Sequence, residues 1–208
     1  MKARHVAIEG PIGVGKTALA RLLAARFDAR QVLEAPDNPF LADFYKDQKG
    51  SAFATQIWFL IARHQQWKGL AQGDLFQDAI VSDYIFEKER IFAALNLDDS
   101  ELATYERLFR ILAADAPRPD LVIYLQARVK HLMSRIQRRG RGAERRISEG
   151  YLAEVVKAYD RFFFRYEQAP LLVVDTNETD FTEGEGDLDH LIERIEAMDR
   201  GGVEYYHP

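Results

Sequence analysis

The sequence predicts an α/β fold in three layers, a five-stranded parallel sheet flanked by helices. Short apolar runs alternate with longer stretches of helical period along the chain. A glycine-rich turn joins the first apolar run to the first helix. No linker divides the 208 residues, so one domain over residues 1–208 is expected.

His5–Glu9 reads as a buried strand, and Lys16–Phe27 as a helix with Leu19, Leu22, Leu23 and Phe27 on one face. Gln31–Glu34 forms a second short strand, closed by Ala35-Pro36. Ser51–Leu70 is helical and rich in aromatics, with Phe53 and Trp67 as core residues. Ala79–Asp83 is the third strand, followed by helices over Glu87–Asn96 and Asp99–Ala114. Leu121–Leu125 is the fourth, after which Val129–Arg138 and Ser148–Tyr166 form helices around an arginine-rich link. Leu171–Asp175 is the fifth strand and Leu188–Met198 the last helix, leaving residues 201–208 as a loose tail.

Composition narrows the partners. Hydrophobic residues at 47% and charged residues at 29% are those of a globular chain rather than a disordered one. A net charge of −5 argues against a nucleic-acid partner, since phosphate backbones select basic faces. A local basic cluster between Arg135 and Arg146 still suits a small anion. The absence of cysteine removes disulfides, thiolate metal sites and thiol catalysis, and it fits a reducing compartment. No apolar run approaches membrane-spanning length, and no signal peptide is evident, so a cytoplasmic protein without a membrane partner is expected.

Gly10-Pro11-Ile12-Gly13-Val14-Gly15-Lys16-Thr17 matches the phosphate-binding pattern G-x-x-x-x-G-K-[ST]. Its glycines let successive backbone N–H groups converge on an anion at the positive end of the following helix. Lys16 is then expected on the β- and γ-phosphates of ATP, and the Thr17 hydroxyl on Mg²⁺. Two observations separate a kinase from other nucleotide hydrolases: no guanine-reading N/T-K-x-D follows Leu121–Leu125, and the third strand ends Val81-Ser82-Asp83-Tyr84 rather than Asp-Glu. A third is Arg135-Ile136-Gln137-Arg138-Arg139-Gly140-Arg141, four arginines around a glycine at a helix end. Phosphoryl transfer spreads negative charge over equatorial oxygens, which guanidiniums clamp well, and the glycine offers a hinge for a lid over residues 138–148. A basic helix end also suits the helix dipole without any ligand.

Glu34 stands where the second strand ends, the position of a carboxylate that could orient a hydroxyl acceptor. Gln56, Phe59, Leu60 and Arg63 share one helical face, able to stack on and hydrogen-bond a nucleobase. The segment Glu34-Ala35-Pro36, the spacing of Tyr45, Gln56 and Arg63, the run Arg139-Gly140-Arg141 with Glu144, and Asp180-Phe181 together resemble the deoxynucleoside kinases. The likeness runs from about residue 4 to residue 181, and the bacterial deoxyadenosine/deoxyguanosine kinases are its nearest members.

The resemblance implies a P-loop kinase fold and transfer of the ATP γ-phosphate to a deoxynucleoside 5′-hydroxyl, with purines preferred. It implies that Arg135, Arg139 and Arg141 close on the transferring phosphate and that Asp180-Phe181 hold the adenine. Tyr45 and Glu144 would hold the sugar 3′-hydroxyl, and Gln56, Arg63 and Glu89 would read the base. A homodimer is implied too, with the apolar helix over Leu102–Ala113 as the candidate contact. One departure stands out: the family's acidic-Arg-Ser segment here reads Asp83-Tyr84-Ile85. Asp83 can keep a role at Mg²⁺ or its water. Tyr84 cannot supply the arginine's charge, so either a lid arginine or Lys88 does, or the phosphate geometry differs. The rival readings are a thymidylate or other nucleoside-monophosphate kinase, using Lys46, Lys49 and Arg63 on the acceptor phosphate, and a non-catalytic nucleotide-binding subunit.

Overall fold

A computed structural model describes residues 3–34, 38–46, 50–71, 79–114, 116–140, 142–179, 181, 185–198 and 202–208. Six parallel strands form one sheet in the order β2-β3-β1-β4-β5-β6: β1 His5–Glu9, β2 Arg30–Val32, β3 Ile80–Ser82, β4 Leu121–Gln126, β5 Leu171–Asp175 and β6 Val203–Tyr206. The helices are α1 Lys16–Arg26, α2 Leu41–Phe44, α3 Ser51–Ala71, α4 Lys88–Asn96, α5 Asp99–Leu112, α6 Val129–Arg139, α7 Glu149–Phe164 and α8 Glu185–Ala197, with a 3₁₀ turn at Ala143–Arg146.

Alternation along the central strands explains the three layers. Val6 and Ile8, Leu121 and Ile123, and Leu172 and Val174 face one way, onto Leu19 and Leu23 of α1, Leu132 and Ile136 of α6, and Leu191 and Ile195 of α8. Ala7, Val122, Tyr124, Leu171 and Val173 face the other, onto Val155, Tyr159 and Phe163 of α7 and Ile91 of α4. A third apolar cluster joins Val32 and Ile80 to α3 and α5 through Leu60, Trp67, Tyr105 and Phe109. Strands covered on both faces read as continuous apolar runs, which is why the central ones were legible.

Two expectations are corrected. The sheet has six strands rather than five, because the expected loose tail pairs in parallel with β5, Leu171 opposite Val203 and Val174 opposite Tyr206. Two further contacts anchor β6: Arg194 of α8 lies over the Tyr206 ring at 5.9 Å and reaches Glu204 at 3.4 Å. The cost of ordering these few residues is met by an edge strand whose backbone groups would otherwise face water.

Chain order reverses at β1, which lies between β3 and β4. Such a switch point opens a crevice beyond the carboxyl ends of the strands. There β1 runs into Gly10, β3 into Asp83, and β2 toward Glu34. Removing residues 202–208 is predicted to lower Tm by about 5 °C in a thermal melt, the shift that ~2 kcal/mol produces in a domain of this size. The KM for ATP should not change, since β6 lies at the sheet edge away from the switch point.

Candidate active site

One continuous cavity of about 870 Å³ runs from the glycine-rich loop to α3, within the size range of small-molecule sites. Gly13, Val14, Gly15, Lys16 and Thr17 line one end. Thr55, Gln56 and Phe59 line the other, while Glu34, Asp83, Lys88 and Tyr45 stand between.

The loop is built for close approach. Gly13 has φ +87, and a Cβ there would meet Ile136 Cγ1 of α6 at 2.8 Å, so only glycine lets the loop rest on the lid helix. Pro11 and Val14 close the turn through a backbone bond of 3.3 Å. Lys16 Nζ donates to the carbonyls of Gly10 at 2.7 Å and Pro11 at 3.1 Å. Burial and the neighbouring Lys88 lower its pKa to about 8, against the opposing pull of Glu9, Glu34 and Asp83.

Asp83 ties the two halves together. Its Oδ2 accepts from the Thr17 hydroxyl at 2.5 Å and its Oδ1 from the Glu34 backbone N–H at 2.6 Å. A hydroxyl and a carboxylate side by side beneath a phosphate loop fit Mg²⁺, which uses few protein oxygens and takes the rest from water and phosphate. No cluster of three or more His, Cys, Asp or Glu that could hold a metal occurs among the described residues, and this ion does not need one.

Glu34 sits in a cationic bracket. Lys88 Nζ donates to its Oε2 at 2.7 Å, and Arg63 ion-pairs with its Oε1. Burial pushes the Glu34 carboxyl up, but Lys88 and Arg63 outweigh it and bring the pKa down to about 2. Arg63 also pairs with Glu89, so the guanidinium bridges two carboxylates. The guanidinium lies over the rings of Phe59 at 5.1 Å and Tyr84 at 5.0 Å. Tyr84 is wholly buried, with its hydroxyl on Gln66 Oε1 at 2.6 Å. The residue after Asp83 therefore supports Arg63 from below and offers no charge to the cavity.

Other expected residues are placed as follows. Gln56 is buried, and its Oε1 has no hydrogen-bond partner among the described residues. Tyr45 lines the cavity, with its pKa raised by burial and then by Tyr151, Glu144 and Glu34. Arg139 at the end of α6 reaches Glu144 of the 3₁₀ turn at 2.5 Å, and Gly140 ends α6 in the left-handed region with φ +69. Phe181 is buried at the donor end. Arg141 and Asp180 lie outside the described residues, as do Ala35, Pro36 and Lys49. Arg135 lines the cavity but points to the backbone beyond β5: it donates to Thr176 Oγ1 at 3.1 Å, Thr176 O at 2.7 Å and Thr179 O at 3.1 Å.

Three residues carry weight that the motifs did not indicate. Glu9 is wholly buried and accepts from the N–H groups of Gly10 at 2.9 Å and Ile85 at 3.0 Å, locking the loop to the end of β3. Burial raises its pKa. Its signal was a lone charge closing an otherwise apolar strand. Gln66 joins Tyr84 to the Leu33 carbonyl, 2.9 Å from its amide, one turn beyond Arg63. Tyr151 lines the cavity beside Phe44, and Asn96 donates to its hydroxyl at 3.3 Å.

A phosphate loop at a parallel-sheet switch point, facing a strand-end carboxylate across one cavity, defines a P-loop phosphotransferase with a small-molecule acceptor. Known proteins narrow the acceptor. The model of the deoxynucleoside kinase family matches residues 6–198. A deoxyguanosine kinase of Bacillus subtilis is 31% identical over 94% of this chain and 98% of its own. A deoxyadenosine/deoxycytidine kinase of the same organism is 29% identical over 95% and 97%. The structure of deoxyadenosine kinase from M. mycoides with bound dCTP superposes with a TM-score of 0.81 at 27% identity, covering 93% of this chain and 100% of that one. The chain belongs to the deoxynucleoside kinase family, whose members are ATP-dependent transferases that phosphorylate deoxynucleosides.

Titration of Lys16 sets a pH dependence. A lysine with a pKa of about 8 is charged below that pH and neutral above it. If Lys16 meets the ATP phosphates, ATP affinity should hold steady from pH 7 to 7.5, then fall about tenfold per unit well above pH 8. Calorimetric titration of ATP across this range is the check, and flat affinity to pH 9.5 would refute the assignment.

Proposed function

We propose that ATP binds on Gly10–Thr17 and that the deoxynucleoside lies across the cavity with its 5′-hydroxyl at Glu34 and its base at Gln56. The observation that carries this reading is the single cavity joining Lys16 and Thr17 to Gln56, with Glu34 between them. Thr17 and Asp83 would hold Mg²⁺, which when bound would supply Lewis-acid stabilisation of phosphate charge. Phe59 offers the base a stacking face. Arg63 and Glu89 set the far wall, and the unpartnered Gln56 Oε1 waits for a donor on the base edge.

Tyr45 and Glu144 take the sugar 3′-hydroxyl. Binding there exchanges the Arg139–Glu144 pair for contacts to sugar and phosphate, which frees Arg139 to close with Arg141 on the transferring group. Arg135 fixes the loop beyond β5 that, with Asp180 and Phe181, receives the adenine. Glu34, with a pKa of about 2, is a weak base. Its work is to aim the hydroxyl and accept the proton late, as a loose transition state allows.

Purine deoxynucleosides are the preferred substrates in this reading. The Bacillus subtilis relatives, a deoxyguanosine kinase and a deoxyadenosine/deoxycytidine kinase, support it. A monophosphate acceptor is disfavoured by what became of its cations: Lys46 pairs with Asp43 at the surface, and Arg63 is committed to two carboxylates. A homodimer through α5 belongs to the same reading, supported by the exposed Leu108 and Ile111 on that helix. A cytoplasmic location rests on the lack of cysteine.

An ADP-release assay should give turnover with deoxyguanosine or deoxyadenosine and none with their monophosphates. Turnover confined to monophosphates would overturn the acceptor assignment. Glu34→Gln should lower kcat by about three orders of magnitude while ATP still binds, the scale of losing a positioned acid–base group. Normal turnover in that variant would remove Glu34 from the mechanism. Gln56→Ala should raise the nucleoside KM about tenfold or more with the ATP KM unchanged, as expected for an unpaired base edge.

A further inference from the structure

Lys88 is a buried lysine for which the nucleotide loop and the base-reading helix give no account. It stands in the first turn of α4, only 4% exposed, and its side chain borders the cavity between Lys16 and Gln56. Burying an ammonium is costly unless its charge is used. Arg63 is shared between Glu34 and Glu89, so Lys88 also balances Glu34, through the other carboxylate oxygen.

Two features show what the charge is suited to. An ammonium has three N–H donors, and among the described residues Lys88 spends one, on Glu34 Oε2 at 2.7 Å. Lys88 and Lys16 line the same cavity. Two ammoniums lining one cavity mark where negative charge is received. Tyr84, the next residue after Asp83, is turned into the core, so no cation comes from the end of β3. Helix α4 supplies it from a turn further along the chain.

We propose that Lys88 is a catalytic cation on the acceptor side, contacting the 5′-oxygen and the γ-phosphoryl group while Lys16 serves the donor side. In the step it assists, the 5′-oxygen–phosphorus bond forms as the bond from the γ-phosphorus to the bridging oxygen breaks. That electron pair leaves on ADP, and the hydroxyl proton passes to Glu34. Lys88 stabilises charge on the equatorial oxygens as it moves between the two partners. A lysine suits this better than an arginine, because a compact ammonium on a flexible stem can follow the group in transit. The inference rests on the reading of Glu34 given above, and the test separates the two.

Lys88→Met is measured beside Glu34→Gln for kcat, for both KM values, and for the melting increment produced by ADP, aluminium fluoride and deoxyguanosine beyond ADP and deoxyguanosine alone. The expected result is a kcat loss of roughly a hundredfold or more in Lys88→Met, the scale of one lost electrostatic donor. Both KM values should stay within about threefold, and the fluoroaluminate increment should vanish. A kcat within fivefold of the parent overturns the proposal. So does a slow variant that keeps the increment, because Lys88 would then act only by holding Glu34. Should Lys88→Met fail to fold, Lys88→Gln is read by the same criteria. If Glu34→Gln turns over normally, the reading of the site fails; if it is inactive while Lys88→Met is normal, only the role of Lys88 fails.

Discussion

The Asp83 carboxylate holds the active site in register. One oxygen takes the hydroxyl of Thr17 at the start of α1, and the other takes the backbone N–H of Glu34 beyond β2. Thr17 and Glu34 stand on different elements of the cavity wall and are far apart along the chain. Because the bridge is made to backbone on one side, it fixes where Glu34 begins rather than merely where its flexible tip rests. Glu9 does the same service one strand over, taking the N–H groups of Gly10 and Ile85. Two carboxylates at the ends of adjacent parallel strands thus replace a disulfide or metal as the staple of the crevice.

Around these staples the chemistry depends on charge that is buried and mutually balanced. Arg63 joins Glu34 to Glu89 and packs against the rings of Phe59 and Tyr84. A guanidinium paired at two carboxylates and packed against two rings has little freedom to turn, so Glu34 and Glu89 keep one spacing. Buried networks of this kind gain little over an apolar core while intact, yet cost several kcal/mol when one member is removed. That asymmetry explains why so many ionisable groups are tolerated here: the site needs them, and each needs the others.

The lid is organised on a different principle. Arg135 is spent on the backbone at Thr176 and Thr179, so it shapes the loop beyond β5. Arg139 rests on Glu144, a pair at the border of solvent that water screens and that can be exchanged for a ligand at little cost. The helix that carries both packs directly on Gly13, so movement of the lid and the shape of the phosphate loop are mechanically linked.

Local motifs were readable from the chain. Gly10–Thr17 could be recognised because all of its chemistry lies between neighbours, and Gln56, Phe59 and Arg63 because helical spacing alone puts them on one face. The central strands were readable because residues buried on both sides must be apolar. Three things were not. Residues 203–206 become a strand only because β5 presents an unpaired edge, and no local pattern announces it. The acidic partner of Glu34's amide, and the choice of Lys88 rather than a lid arginine as the neighbouring cation, depend on how α4 sits against the ends of β2 and β3. The sequence by itself determined the chemistry on offer: a phosphate loop, a strand-end carboxylate and a helix face carrying Gln56, Phe59 and Arg63. Only the tertiary structure decided which charges meet, because ion pairs among residues tens of positions apart are set by packing, and packing is a property of the whole sheet.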